Sequence, residues 1–219
     1  MPRRPDSSLR GRLIEAATAD FAAHGYRGAS LDGIGARAGV TKGAVYCHFA
    51  GKEELFYAVL DHWRDKRRRL LQVQAAGPGG AATALRAFLA GYLRFHFREP
   101  AATHLLRVQA TELRGGFTAR LREDERQELR WLRAKLRELL VHGVRDGTLG
   151  VEDAATTAFV LAAAVRGALE QWQASPTDVE THCDEAQLAA QLVARFATGA
   201  DHERADGGVG DFDFRGGAG

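Results

Sequence analysis

The sequence predicts an all-α protein, and three observations carry that prediction. Apolar residues recur at three- and four-residue intervals in every segment long enough to show a period. No segment alternates apolar and polar residues in the manner of a half-buried strand. The breaks, at Gly25, Gly39, Gly51, Gly77-Pro78-Gly79-Gly80, Gly115-Gly116 and Gly147, fall where helical patterns stop.

In chain order, Met1–Ser8 carries Pro2, Arg3, Arg4 and Pro5 and is expected to be a flexible basic arm. Helix one covers about Leu9–His24, with Leu13, Ile14, Ala17 and Phe21 on one face. Ser30 is a good N-cap for helix two, which places Leu31, Ile34 and Ala38 on one side and closes at Gly39. Thr41 caps helix three, whose apolar Val45 and Phe49 lie four apart. Two short capped helices around a tight glycine turn make a helix-turn-helix, whose second helix enters the major groove of DNA.

Helix four, about Lys52–Ala76, starts apolar (Leu55, Phe56, Val59, Leu60, Trp63) and then becomes the basic run Arg64–Arg69, of which Asp65–Arg69 is expected to be a solvated face rather than a second DNA patch. Leu85, Phe88, Leu89, Tyr92 and Phe95 or His96 mark helix five. Pro100 suits the first turn of helix six, followed by Leu105, Leu106, Gln109 and Leu113. Helix seven, about Phe117–Arg145, is charged all round from Arg122 to Arg130 and is expected to be solvated there on most sides. Alanine-rich helix eight, about Glu152–Gln173, carries Phe159, Val160, Val165, Leu169 and Trp172. A polar loop, Ser175–Asp184, leads to helix nine with Leu188, Leu192, Val193 and Phe196. The stretch after Thr198 is dominated by Gly and Asp and is expected to be disordered.

The helix-turn-helix region resembles the DNA-binding domain of the tetracycline-repressor (TetR) family. The resemblance rests on Thr41, Tyr46-Cys47-His48-Phe49 and Lys52. Upstream, Ile14-Glu15-Ala16-Ala17 through Phe21, Gly25-Tyr26, Ile34 and Ala38-Gly39-Val40 also agree. It implies three parts: a three-helix DNA-binding domain over 1–54, a helical ligand-binding and dimerisation domain over 55–199, and a tail over 200–219. It further implies a homodimeric regulator, most simply a repressor released from a near-palindromic operator by a small-molecule inducer. The alternative is a DNA-binding protein whose body binds a protein partner and senses no small molecule.

Candidate contacts follow from donor chemistry and from the family pattern together. The hydroxyl, imidazole and ammonium tips of Tyr46, His48 and Lys52 suit phosphate oxygens. Lys42 is the long donor of the first turn and is assigned a guanine edge or a nearby phosphate. Gly43 and Ala44 are small enough for backbone approach to the groove floor. By resemblance Ser30, Thr41, Tyr46, His48 and Lys52 are contact positions, while Val45 and Phe49 are core. Cys47 departs from the larger polar or aromatic residues common at its place. His48 has a second reading, as a satisfied histidine between two helices. Arg3 and Arg4 form an arm of the kind that enters an adjacent minor groove.

For the body, the nominated pocket residues are Tyr92, Phe95, His96, Leu106, Gln109, Trp131 and Phe159, types that more often make core than pocket, together with Arg166. Arg166 stands in an apolar helix and needs a partner if buried. Glu170 at i+4, a group across a dimer and an anionic inducer are the options, in that order. Ala162, Gly167, Ala168, Leu169, Trp172, Leu188, Leu192 and Phe196 are the candidate dimer surface, with intrachain packing as the competing use.

Composition narrows the class further. The 219 residues have 26% charged and 45% hydrophobic side chains and a net charge of +2, an ordinary globular balance. Through Lys52 there are eight basic and four acidic residues, so this quarter carries a surplus of four and the remainder is slightly acidic. A basic head on a near-neutral body suits nucleic-acid binding by the head alone. Cys47 and Cys183 are the two cysteines, too few for a disulfide framework, and a reducing cytoplasm is the expected compartment. Neither Cys47-His48 nor His182-Cys183 has metal-ligand spacing, and no nucleophile–base set is evident, so neither metal, cofactor nor catalysis is expected. The longest apolar run, Ala158–Val165, is far short of the ~18 residues a membrane span requires.

Overall fold

A computed structural model of the chain describes residues 7–75, 79–108, 116–174 and 184–197. Arg3, Arg4, Gln109, Leu113, Cys183 and the 200–219 tail lie outside the described residues. Within them the chain forms nine α-helices: α1 Ser7–Gly28, α2 Leu31–Arg37, α3 Lys42–Tyr46, α4 Lys52–Ala75, α5 Ala81–Arg98, α6 Pro100–Val108, α7 Gly116–Arg145, α8 Ala154–Ala174 and α9 Glu185–Phe196.

The all-α expectation holds, and helix limits differ by a few residues at most ends. The main difference is α1, which does not stop at His24. It kinks at Gly25 (φ 66°) and runs one further turn to Gly28. At the end of α2 the chain turns through Gly39 at φ 72°, a left-handed conformation that glycine adopts without a Cβ clash. The turn also needs Gly35. A Cβ there would stand 3.1 Å from the Val40 carbonyl oxygen and 3.2 Å from Val45 Cγ2, so a side chain would force α2 and α3 apart.

Two hydrophobic cores organise the molecule. The first joins α1, α2 and α3 to the first half of α4 around Phe21, Ile34, Val45, Phe49, Leu55 and Leu60, all essentially inaccessible. Phe95, Ala102 and Leu105 from α5 and α6 close its lower side. The second core gathers Leu71, Leu85, Phe88, Leu89, Leu93, Leu136, Leu161, Val165 and Val193 from α4, α5, α7, α8 and α9. The change of core therefore falls inside α4, between Trp63 and Leu71, rather than at residue 54. At 24 residues, α4 is a rod of roughly 36 Å. One rigid helix thus belongs to both cores.

The polar side of α4 is not the solvated face expected from its composition. Arg64 and Arg67 keep only 7% and 5% of their surface, because they lie under α7 and face its carboxylates. The charged stretch of α7 is correspondingly two-sided. Asp124 and Glu128 turn inward, whereas Arg126 and Arg130 pair with Glu123 on the outside.

Candidate nucleic-acid interface and body cavity

The head presents α3 on its surface. Val45 and Phe49 anchor it inward at 0% and 1% exposure, leaving Thr41, Lys42, Gly43, Tyr46 and Cys47 outward. Both capping hydroxyls are in use. Ser30 Oγ accepts the Gly33 N–H at 3.0 Å, and Thr41 Oγ1 accepts the Ala44 N–H at 3.4 Å. Tyr46 is half exposed, Cys47 is a free exposed thiol, and Ala44 and His48 are half-buried. The His48 ring lies 6.4 Å from that of Phe49.

Two lysines have protein partners that the sequence did not suggest. Lys42 Nζ donates to Asp32 Oδ2 at 2.7 Å, across the turn to α2. That hydrogen bond, and then the carboxylate's charge, raise the lysine pKa above its ordinary 10.5. Lys52 Nζ donates to the carbonyl oxygens of Ala29 (2.9 Å) and Arg27 (3.3 Å) and lies 4.8 Å from the centre of the Tyr26 ring. It thereby caps the C-terminal end of α1, where carbonyls lack intrahelical donors and a cation is favoured. Spacing alone could not reveal either pair, since the partners are ten and twenty-three or more residues away.

The body holds a small cavity of about 50 Å³. Among the nominated pocket residues it brings together Tyr92, His96, Leu106 and Arg166. It adds Arg64, Arg67, Glu125, Glu128, Leu129, Leu132 and Leu169. Phe95 belongs instead to the first core, its ring 6.3 Å from Trp63. Trp131 packs on Phe88 and carries Arg68 over its face at 5.2 Å. Phe159 is 57% exposed on the outer side of α8, in a shallow groove with Arg133 and Arg137.

A charged network crosses this cavity. Arg64 pairs with Asp124 and Asp61, both at 3.2 Å. Arg67 and Arg68 share the single carboxylate of Glu128. Arg166 Nη2 lies 3.2 Å from Glu125 Oε1, so this arginine of α8 has an ion-pair partner on α7, an option not among those the sequence suggested. His96 is fixed from both sides. The Thr103 hydroxyl donates to the His96 carbonyl at 2.9 Å and therefore accepts from His96 Nδ1–H, also at 2.9 Å. Nε2 is then the acceptor for Arg67 Nη1 at 3.3 Å, which requires a neutral imidazole. The sequence signal for this network was present, in Arg64 and Arg67 at i,i+3 and Asp124 and Glu128 at i,i+4, but a one-chain pattern of charges reads equally as solvated.

On the candidate dimer surface, Ala162 (4% exposed) and Leu169 (1%) are turned into the chain's own second core. The Trp172 ring lies tilted against that of Phe97, centroids 4.9 Å apart, while Ala168, Leu188 and Leu192 are partly buried against that core. Gly167 faces open space, since a Cβ added there would meet no heavy atom within 4 Å, and Phe196 is 42% exposed. The outward side of α8 and α9 is thus offered by Gly167 and Phe196.

Residues 13–59 match the family described as bacterial regulatory proteins, tetR family. A TetR transcriptional regulator from Chloroflexus aurantiacus J-10-FL superposes with a TM-score of 0.72 at 27% identity, covering 88% of this chain and 98% of that one. The chain thus carries a tetR-family DNA-binding head. The HTH-type transcriptional regulator SrpR of Pseudomonas putida is 55% identical over 51 residues, or 23% of this chain and 24% of SrpR. The chain thus aligns with about a quarter of that relative's length. FadR from Bacillus subtilis, whose structure contains stearoyl-CoA, shares the fold at a TM-score of 0.66 and 18% identity, over 87% of this chain and 98% of that chain. The matched TetR-family proteins are named as regulators rather than enzymes. Among the described residues no group of three or more His, Cys, Asp or Glu side chains is placed to hold a metal ion, and no helix is long and apolar enough to cross a membrane.

Proposed function

We propose that this protein is a homodimeric DNA-binding transcriptional regulator of the TetR type, a repressor released from a near-palindromic operator by a small-molecule effector. The observation that carries the reading is the double membership of α4. Its first half, Leu55–Trp63, is packed into the head, and its second half sends Arg64 and Arg67 into the body cavity. A ligand that repositions those arginines tilts the same helix that holds the head. Only a difference in affinity between two α4 positions can drive release.

Tyr46, His48 and Lys42 serve as the phosphate and base contacts in this reading, with Arg3 and Arg4 as the arm. Lys52 acts indirectly, by fixing the end of α1 against the start of α4. A long acyl chain such as that in the FadR complex suits this cavity poorly, because three arginines and two glutamates line it and its volume is about 50 Å³. Effector sites generally measure about 300–1,000 Å³, so binding here requires the walls to part.

Operator capture from genomic fragments with the full chain, followed by fluorescence anisotropy on the captured site, tests the reading. A saturable complex of two chains per site, released by a metabolite that also raises the melting temperature, is expected. Capture of a palindrome that no metabolite releases would favour a body that recruits a protein partner instead. Failure to enrich any sequence would remove the regulator reading.

A further inference from the structure

The cavity's charges are unevenly matched. At the Arg67–Arg68 end, one carboxylate, Glu128, serves two guanidiniums, while His96 is neutral and accepts from Arg67. The side chains of Arg67 and Glu128 keep only 6% and 17% exposure, so water reaches Arg67 little, whereas Arg68 lies outside the cavity lining and keeps 34%. Among the described residues the buried Nε atoms of Arg67 and Arg68 have no hydrogen-bond partner. The imbalance is local: Arg64 meets two carboxylates, Asp124 and the exposed Asp61, and Arg166 meets one, Glu125, while Arg64 Nε is unsatisfied as well among the described residues. A buried cation without full compensation is costly, and a buried N–H left unsatisfied adds to that cost.

Four leucines, Leu106, Leu129, Leu132 and Leu169, also line the cavity. We infer that the cavity takes a compact organic carboxylate, its charged end on Arg67 and its apolar body against these leucines. The planar guanidinium fork matches a carboxylate bidentately, which a neutral or cationic ligand cannot exploit. The ligand competes with Glu128 for Arg67, and that exchange is what connects its charge to α4. The inference rests on the effector reading given above and specifies its chemistry.

The test uses the full chain with three isosteric probes, isovalerate, isovaleramide and isopentylamine, by calorimetry and thermal shift. Isovalerate is expected to bind at least tenfold more tightly than its amide, and the amine not at all. Arg67→Gln should lose at least tenfold of isovalerate affinity, Arg67→Lys should lose less, and Glu128→Gln should gain several-fold by removing the competing carboxylate. Should Arg67→Gln not fold, the probe comparison on the unaltered chain and the Glu128→Gln measurement decide. Equal binding of amide and carboxylate, tighter binding of the amine, or no binding of isovalerate overturns the assignment. Anisotropy on the captured operator separates the two levels. Release by a neutral or cationic metabolite would sink the carboxylate while leaving the effector reading in place, and a DNA complex that no metabolite releases would sink the effector reading itself.

Discussion

Lys42 Nζ and Asp32 Oδ2 stand 2.7 Å apart on the surface of the head, tying the first turn of α3 to α2. The lysine proposed to contact DNA is therefore held by a carboxylate of its own head. Phosphate or a base edge must take it from Asp32, and Asp32 itself repels the DNA backbone.

Asp32→Asn should accordingly strengthen binding to unrelated DNA more than binding to the operator, narrowing the specificity ratio by several-fold. The dependence of affinity on salt should steepen by about one phosphate contact per head. Anisotropy titrations on operator and scrambled duplexes between about 50 and 200 mM salt read both quantities. An unchanged slope would mean that Asp32 and Lys42 do not compete with DNA.

Lys52 is predicted to matter for stability as well as affinity. Lys52→Met keeps the aliphatic stem near Tyr26 but removes the donor to the Ala29 and Arg27 carbonyls. A loss of about 1 kcal/mol in urea unfolding is expected, together with weaker DNA binding at every sequence. Weaker binding at full stability would assign the residue to direct phosphate contact instead.

Gly167 and Leu169 should part company although they stand only two positions apart. Gly167→Glu places charge on the open side of α8, and is expected to give a folded monomer that has lost operator affinity. Leu169→Glu buries a charge in the second core and is expected to cost several kcal/mol of folding stability. Sedimentation and thermal melting distinguish the two. A dimeric Gly167→Glu protein would move the pairing surface away from this part of α8.

Asp146 makes a prediction about acid stability. It accepts hydrogen bonds from the Thr148 hydroxyl and from the Ala81 and Thr148 N–H groups. The Thr148 hydroxyl first, and the two N–H groups next, hold its pKa below the ordinary 3.8. A depressed carboxylate contributes stability that is present above its unfolded value and is lost as pH falls through the folded one. Asp146→Ala should therefore lower the melting temperature at about pH 6 and bring the variant closer to the wild type as pH drops below the ordinary carboxylate value. Parallel melting curves of the two proteins across that range would contradict the assignment.

The sequence by itself determined the helices and the head. Their signals are local: Ser30 and Thr41 are caps, Gly39 permits the turn, and Val45 and Phe49 repeat at i,i+4, so neighbours in sequence are neighbours in space. The roles of charged side chains were decided only by tertiary structure. Nothing in the run Arg64–Arg69 distinguishes the buried Arg64 and Arg67 from the exposed Arg69 until α7 lies across α4. Lys52 shows the same limit, since its partners lie at the end of α1. A charge is satisfied by whatever the fold brings within a few ångströms, and for Arg67 that is Glu128, sixty-one residues away along the chain.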